Sequence, residues 1–553
     1  MGGSWNGAAD VFCINRSSKG RNSMKKRLIN AVITAVLVLA LAFGCTMAGT
    51  AKSNGQQELN IIEDNYRNYY EIFVGSFYDS DGDGMGDLNG IAEKLDYIED
   101  MGFNGIWLMP VMPSPTYHKY DVMDYKNIDS AYGTVDDFKN LLEACHEKNI
   151  RLVIDMVLNH TSSQHPWFTE ACEYLKSLPE GEEPDTAGCP YVDYYHFSRE
   201  QVNSTYYRVS GTDWWYEGSF WSEMPDLNLA NASLRKDIQE VADFWLDLGV
   251  DGFRMDAAMH FEENDIQGNN EVLNWLYQYC RGKNEDFYMV SEVWASEQTI
   301  ADYYGSGTPS MFNFAAGSGE GKLVSAVRQG NMTSLLEEMV RYQEDFSKKN
   351  PDYIDAPFLT NHDMGRVANA LMSDPVKLKM AAGLLLTMSG SPFVYYGEEI
   401  GMKSAGTKDE NKRIPMFWSK SDSTGMTDGP AGMDAGIESS LPAVDEQLAD
   451  EGSLLNYYKK ALTLRNVHPE LARGKITVLD KLCEGGTAAV TKTWEDSTIG
   501  VLYNIGDQEV TVSLSGTEIS GCGLSGMLAA DDAEAVLKDD TVTLPAHSIV
   551  IVK

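Results

Sequence analysis

Between residues 69 and 396, short apolar runs rich in β-branched and aromatic side chains alternate with amphipathic stretches. No other feature narrows the fold as much. The runs fall at 70–74, 105–109, 151–157, 251–256, 287–292, 311–314, 356–360 and 392–396. Before the second run, Ile91, Leu95, Ile98 and Met101 share one helical face, and the spacing predicts a further helix over 135–148. Strands apolar on both faces must be covered on both faces, which parallel strands with crossover helices achieve. Eight such units imply an α/β fold closed into a (β/α)8 barrel. A doubly wound open sheet is the rival. No Gly-rich dinucleotide fingerprint follows any of these strands, which weighs against it.

The alternation breaks twice. Residues 161–225, between the third and fourth strands, are long, irregular and aromatic, with His165, Trp167, Trp214, Trp215 and Trp221. A loop this long is functional or a small domain of its own. A second polar loop, 403–450, follows the eighth strand, and a helix around 454–465 then closes the barrel. From residue 475 onward the pattern changes to short β runs at 476–479, 488–492, 499–503, 510–514, 542–544 and 549–552, which reads as a separate antiparallel β domain. The expected organisation is barrel over 66–160 and 226–470, an inserted domain over 161–225 and a C-terminal β domain over 471–553.

The chain begins with an address. Lys25, Lys26 and Arg27 precede an almost unbroken apolar run, 28–44, the layout of a secretory signal. Cys45 follows Leu41-Ala42-Phe43-Gly44, which resembles a bacterial lipoprotein cleavage box, so Cys45 offers a lipid anchor; ordinary cleavage near residues 46–48 is the rival. Residues 1–48 are read as an N-terminal extension plus this signal and 49–65 as a linker, giving an exported protein that is secreted or lipid-anchored outside a bacterial membrane. Among the remaining cysteines, Cys172 and Cys189 in the insertion are the pair to test for a disulfide, with free buried thiols the alternative. The formal charge of −38 argues against nucleic acid as partner, because phosphate binding needs a basic surface.

Polar residues crowd the predicted strand ends, where such barrels place their chemistry. The third strand runs into Asn159 and His160, the fourth into Asp256 and His260, the fifth into Glu292, and the seventh into His362 and Asp363. No Ser-His-Asp elbow is visible, and the histidines lack zinc-site spacing. Carboxylates in different environments suit glycoside hydrolysis: one attacks the sugar carbon and another protonates the leaving oxygen. Arg254, two residues before Asp256 on the same strand face, is placed to hold it ionised. Separately, Asp79, Asp81, Asp83 and Asp87 alternate with small residues, a pattern able to wrap a hard cation; Gly90 at the twelfth position and a strand before the loop argue against an EF-hand.

The segments 155–160, 252–260, Glu292 and 360–363 resemble the ordered blocks of the α-amylase family, the family thirteen glycoside hydrolases, and 224–228 resembles its fifth block. The resemblance spans roughly residues 66–470. It implies a TIM barrel with an inserted domain after strand three and a C-terminal antiparallel β-sandwich. Asp256 then matches the nucleophile, Glu292 the acid/base, and Asp363 the third acid. His160, Arg254 and His362 match residues around the reacting sugar, and Tyr120 the aromatic stacked on it. Many members bind structural calcium in a loop after the first strand, which implies Asp79, Asp81, Asp83, the Met85 carbonyl and Asp87 as ligands. A second calcium between barrel and insertion would involve Asn159 and the His260 region. Met224 resembles the intermediate group containing neopullulanases and some amylases, whereas the Asp79 loop and 396–402 resemble oligosaccharide α-glucosidases. The favoured expectation is a monomeric α-amylase cutting internal α-1,4 bonds of starch-like glucans. Neopullulanase, cyclomaltodextrinase or α-glucosidase activity is the alternative, and a non-catalytic sugar-binding relative the rival from another class.

Overall fold

The computed structural model describes residues 64–437, 441–531 and 533–553. The basic segment, the apolar run 28–44, Cys45 and the linker up to residue 63 lie outside them. Among the described residues no helix is long and apolar enough to cross a membrane.

Seven parallel strands form one curled sheet: β1 (Tyr69–Ile72), β2 (Gly105–Leu108), β3 (Arg151–Met156), β4 (Gly252–Met255), β5 (Tyr288–Ser291), β6 (Ser310–Met311) and β7 (Phe393–Tyr395). They lie in the order β7-β1-β2-β3-β4-β5-β6. The gap between β6 and β7 is closed by residues 356–358 through the parallel bridges Phe312↔Ala356 and Phe358↔Phe393. The run predicted as the seventh strand is thus reduced to two bridges. Pro357 explains it: it has no N–H to donate, so only its carbonyl joins, accepting from Phe393 N at 2.9 Å. The result is a (β/α)8 TIM barrel with an insertion after β3 and a C-terminal β-sandwich.

The barrel is filled, not hollow. Tyr69 stacks on Phe393 at 4.6 Å and on Tyr288 at 5.3 Å. Gly105 is required opposite Tyr69, since a Cβ there would come within 2.6 Å of its ring. One step along the same face toward the C-terminal mouth stand Glu71, Trp107, Asp155 and Arg254, all buried.

The single helix expected across Ile91 to Met101 is two, Leu88–Glu93 and Leu95–Met101. They meet at Lys94, whose ammonium lies over the rings of Tyr78 and Trp418. The helix predicted at 135–148 spans Val135–Glu147 and starts on a Thr134/Asp137 capping box.

The insertion holds one α-helix, Pro166–Ser177, a short 3-10 helix, Pro190–Asp193, and a three-stranded antiparallel sheet of Phe197–Ser198, Trp215–Glu217 and Tyr206–Arg208. Of the two readings of Cys172 and Cys189, the free thiols hold: both are unpaired, as are the other four described cysteines. Cys172 is buried on the helix, and burial pushes its thiol up to about 12. The insertion is held instead by an aromatic core in which Phe168 packs on Tyr195, Phe197 and Tyr216. Backbone bridges His160↔Asp226 and Tyr195↔Leu227 tie its ends to the barrel.

The C-terminal region forms a five-stranded and a three-stranded antiparallel sheet around its own core of Leu502, Leu514, Val542 and Val550. Two of its strands, Leu524–Ala529 and Val536–Lys538, were not anticipated. The first carries Gly526 and a register shift; the second has three residues with only Leu537 half-buried, so neither shows a clear alternation.

Candidate active site

Arg254 organises the mouth of the barrel. It is 1% exposed and its guanidinium meets three carboxylates. Nη1 donates to Asp155 Oδ1 at 2.7 Å and to Asp256 Oδ1 at 2.6 Å, while Nη2 lies 3.0 Å from Glu292 Oε2. A buried guanidinium needs such partners, and its planar fork can serve several at once. Asp256 and Glu292 leave the ends of the adjacent strands β4 and β5, whose parallel pairing sets them side by side.

Burial raises both carboxyls above their ordinary values. Arg254 opposes the rise at each, and Asp363 adds to it. For Glu292 the Asp256 charge adds a further push. Two acids so coupled favour one proton between them. Asp363 goes the other way. Burial works against its charge, but His362 and Arg413 outweigh it and hold it below the usual carboxylate range. The contacts are His362 Nε2 at 3.1 Å and Arg413 Nη2 at 2.9 Å.

Tyr120 Oη lies 2.7 Å from His362 Nε2 and donates to Asp155 Oδ2 at 3.1 Å. His160 is buried, its Nε2 lacks a protein partner, and burial lowers it to about 4, so it is neutral at pH 7. These groups open on a cleft of about 460 Å³ bordered by Phe220, Met224, His260 and Trp294. Phe220 and Trp294 are 50% and 53% exposed, so both offer ring surface to an incoming molecule.

All seven candidate catalytic and substrate-binding residues therefore meet at one mouth. Three partners were not singled out from sequence. Asp155 lies within a motif already noted. Glu71 was a lone acid in an apolar strand, itself a signal of a buried charge with a job. Arg413 had no local signal, because it reaches Asp363 from the 403–450 loop.

In the Asp79 loop, carboxylate oxygens of Asp79, Asp81 and Asp87 lie within 4.8 Å of one another. That donor set fits a hard cation. Asp83 does not join them; its carboxylate accepts the Met85 N–H at 2.7 Å. Asp79 accepts from Gly82 N at 2.6 Å and Gly84 N at 2.8 Å. Burial would raise this acid, but the backbone donors bring it below the usual range. At the barrel–insertion junction, Asn159 Oδ1 is buried without a partner and Asn159 Nδ2 donates to Asp226 at 3.3 Å. His260 turns to Glu263 instead, at 2.6 Å.

A (β/α)8 barrel with acids gathered on one buried guanidinium at its C-terminal mouth defines a carboxylate-based glycoside hydrolase. Residues 71–474 match the family model described as alpha amylase, catalytic domain, and the chain belongs to the α-amylase family. It is 39% identical over 455 residues to Alpha-amylase 3 of Dictyoglomus thermophilum, covering 81% of this chain and 87% of that protein. It is 30% identical over 487 residues to an oligo-1,6-glucosidase of Parageobacillus thermoglucosidasius, covering 73% and 84%. The solved structure of Eubacterium rectale Amy13B superposes with a TM-score of 0.87 at 43% identity, over 90% of this chain and 97% of that one.

Proposed function

We propose that this chain is an α-amylase that cuts internal α-1,4 bonds of starch-like glucans with retention of configuration. The observation that carries the reading is the shared guanidinium: Arg254 touches both Asp256 and Glu292. Asp256 attacks the anomeric carbon as the leaving oxygen takes the Glu292 proton; the ionised Glu292 then draws a proton from water, which releases the sugar from Asp256. Asp363, held ionised, takes sugar hydroxyls. Tyr120 stacks on the reacting sugar, His160 stands beside it in the cleft wall, and His362 lies behind them, holding Tyr120 and Asp363 in place. A calcium ion held by the Asp79 loop would brace the segment after β1 without entering the chemistry. The same reading has the protein exported as a monomer, with Cys45 as a lipid attachment point, which radiolabelled palmitate would test.

A second reading, an oligosaccharide α-glucosidase, is favoured by the oligo-1,6-glucosidase relative and by Asp409 and Arg413 in the cleft wall, which offer polar partners to a chain end. A blue-dyed starch gel and a product profile from starch, pullulan and cyclodextrin separate the two. Internal cutting clears the gel and yields mixed oligosaccharides. Release of glucose alone, with the gel intact, rejects the amylase reading.

A further inference from the structure

Glu71 stands on β1 inside the barrel, 1% exposed. Its Oε1 faces one residue twice: His362 Nδ1 at 2.5 Å and His362 N at 3.3 Å. The other ring nitrogen, Nε2, faces Tyr120 Oη at 2.7 Å and Asp363 Oδ2 at 3.1 Å. An imidazole with a carboxylate at each nitrogen satisfies both only with a proton on each. A neutral ring would turn a lone pair toward Glu71 or toward Asp363. With both N–H groups present, Tyr120 oxygen accepts from Nε2 and keeps its own hydrogen for Asp155 Oδ2. Asp155 Oδ1 then accepts from the same Arg254 nitrogen that donates to Asp256.

We propose that Glu71 is a positioning residue: it fixes His362 as an imidazolium, and through Tyr120 and Asp155 it sets the donor order that holds Arg254 on Asp256. The assignment rests on the glycosidase reading of the same site. The groups facing His362 are Glu71 from β1, Tyr120 from the segment after β2, Asp155 from β3, Asp363 from its own loop, and Arg413, whose Nε donates to the His362 carbonyl at 3.4 Å. Asp256 adds a more distant charge. Burial alone would lower the imidazole, but Asp363 and Glu71 outweigh it and raise it to about 9.

The test compares wild type, Glu71→Gln and Glu71→Ala. Gln keeps volume and an acceptor without the charge; Ala keeps neither. Histidine-selective isotope labelling makes the ring titration readable by NMR among nine histidines, with His362→Asn as the assignment control. In Glu71→Gln the His362 titration moves toward acid by roughly two units. Its kcat/KM stays within about threefold of wild type near pH ~5.5, where the remaining Asp363 contact keeps the ring charged, and falls at least about tenfold near pH ~8. Glu71→Ala loses activity at both pH values, and Gln restores the acid side. An unmoved His362 titration, or an equal loss for Gln at both pH values, overturns the proposal. A wild type inert on every α-glucan would reject the glycosidase reading instead, and the titration would still decide the role of Glu71.

Discussion

The backbone N–H of Ala257 donates to Glu292 Oε2 at 2.9 Å. Ala257 directly follows Asp256 and takes a φ of +47°, a left-handed conformation that a residue with a Cβ rarely adopts. The turn directs the chain's next donor at the neighbouring acid, so strain at the end of β4 is tied to the placement of Glu292. Ala257→Gly should keep the N–H and leave kcat within a few-fold. Ala257→Val should cost about 1–3 kcal/mol, because a β-branched residue is far worse at positive φ. Urea midpoints and kcat for both variants check this; a Val variant as stable as wild type would count against the strain.

Asp256→Asn and Glu292→Gln should each lower kcat by roughly a thousandfold or more while circular dichroism stays native. In the proposed mechanism Glu292 acts while protonated, so activity should fall as pH rises through its pKa. Burial and then the neighbouring carboxylates raise that pKa against the pull of Arg254, so the alkaline limb should lie above the ordinary glutamate range of about 4.3. The pH profile of kcat/KM reads the limb directly. Near-normal turnover by either variant would reject the catalytic assignment.

Arg413 donates to Asp363 Oδ1 at 2.9 Å from a buried position. A charge-assisted bond of this kind contributes about 1.5–3 kcal/mol, so Arg413→Ala should reduce kcat/KM by roughly tenfold to a hundredfold. Arg413→Lys should recover little, because a point charge does not reproduce the planar fork. Steady-state kinetics on one oligosaccharide suffice, and full activity of the Ala variant would show that Asp363 does not depend on this contact.

If the Asp79, Asp81 and Asp87 carboxylates hold calcium, a cation bound only by the folded state raises the melting temperature with its concentration. Chelator should lower the Tm, added calcium should restore it, and Asp79→Asn should remove the response. Identical midpoints with and without chelator would reject a stabilising site.

His165 caps the helix Pro166–Ser177 by accepting the Trp167 N–H at 3.1 Å. Burial lowers its pKa from 6.5 to about 4, so it is neutral when folded. Between about pH 6.5 and 4 the unfolded chain binds this proton and the folded one does not, so stability falls as pH falls, by on the order of 3 kcal/mol for the full shift. Asn is an equally good cap that does not titrate. His165→Asn loses ring packing against Trp167, which lowers its absolute Tm, but its Tm should decline less between pH ~7 and ~4.5. An unchanged slope would reject the linkage.

The eight-fold alternation was legible because strand and helix periods are local properties of sequence. The runs at 105–109 and 151–157 became β2 and β3 within a residue at each end. The run at 356–360 kept its place but not its ladder, because one proline removed a donor. The break at Lys94 and the strands Leu524–Ala529 and Val536–Lys538 were not legible, since a half-exposed short strand or a helix joint leaves no clean period.

At the site, sequence alone determined which polar side chains stand at the strand ends, because register along a strand follows from a period of two. It also determined that the six cysteines from Cys145 onward could pair in principle, and only packing showed that they stay apart. Tertiary structure alone decided the partners: that Arg254 serves Asp155, Asp256 and Glu292 together, that Glu71 faces His362, and that Arg413 reaches Asp363 from the 403–450 loop. Those pairings depend on barrel closure, which in the Glu71–His362 contact brings residues 291 positions apart within hydrogen-bond distance. No local pattern encodes such a contact, because the free energy that selects it is the shared burial of charge inside a closed fold.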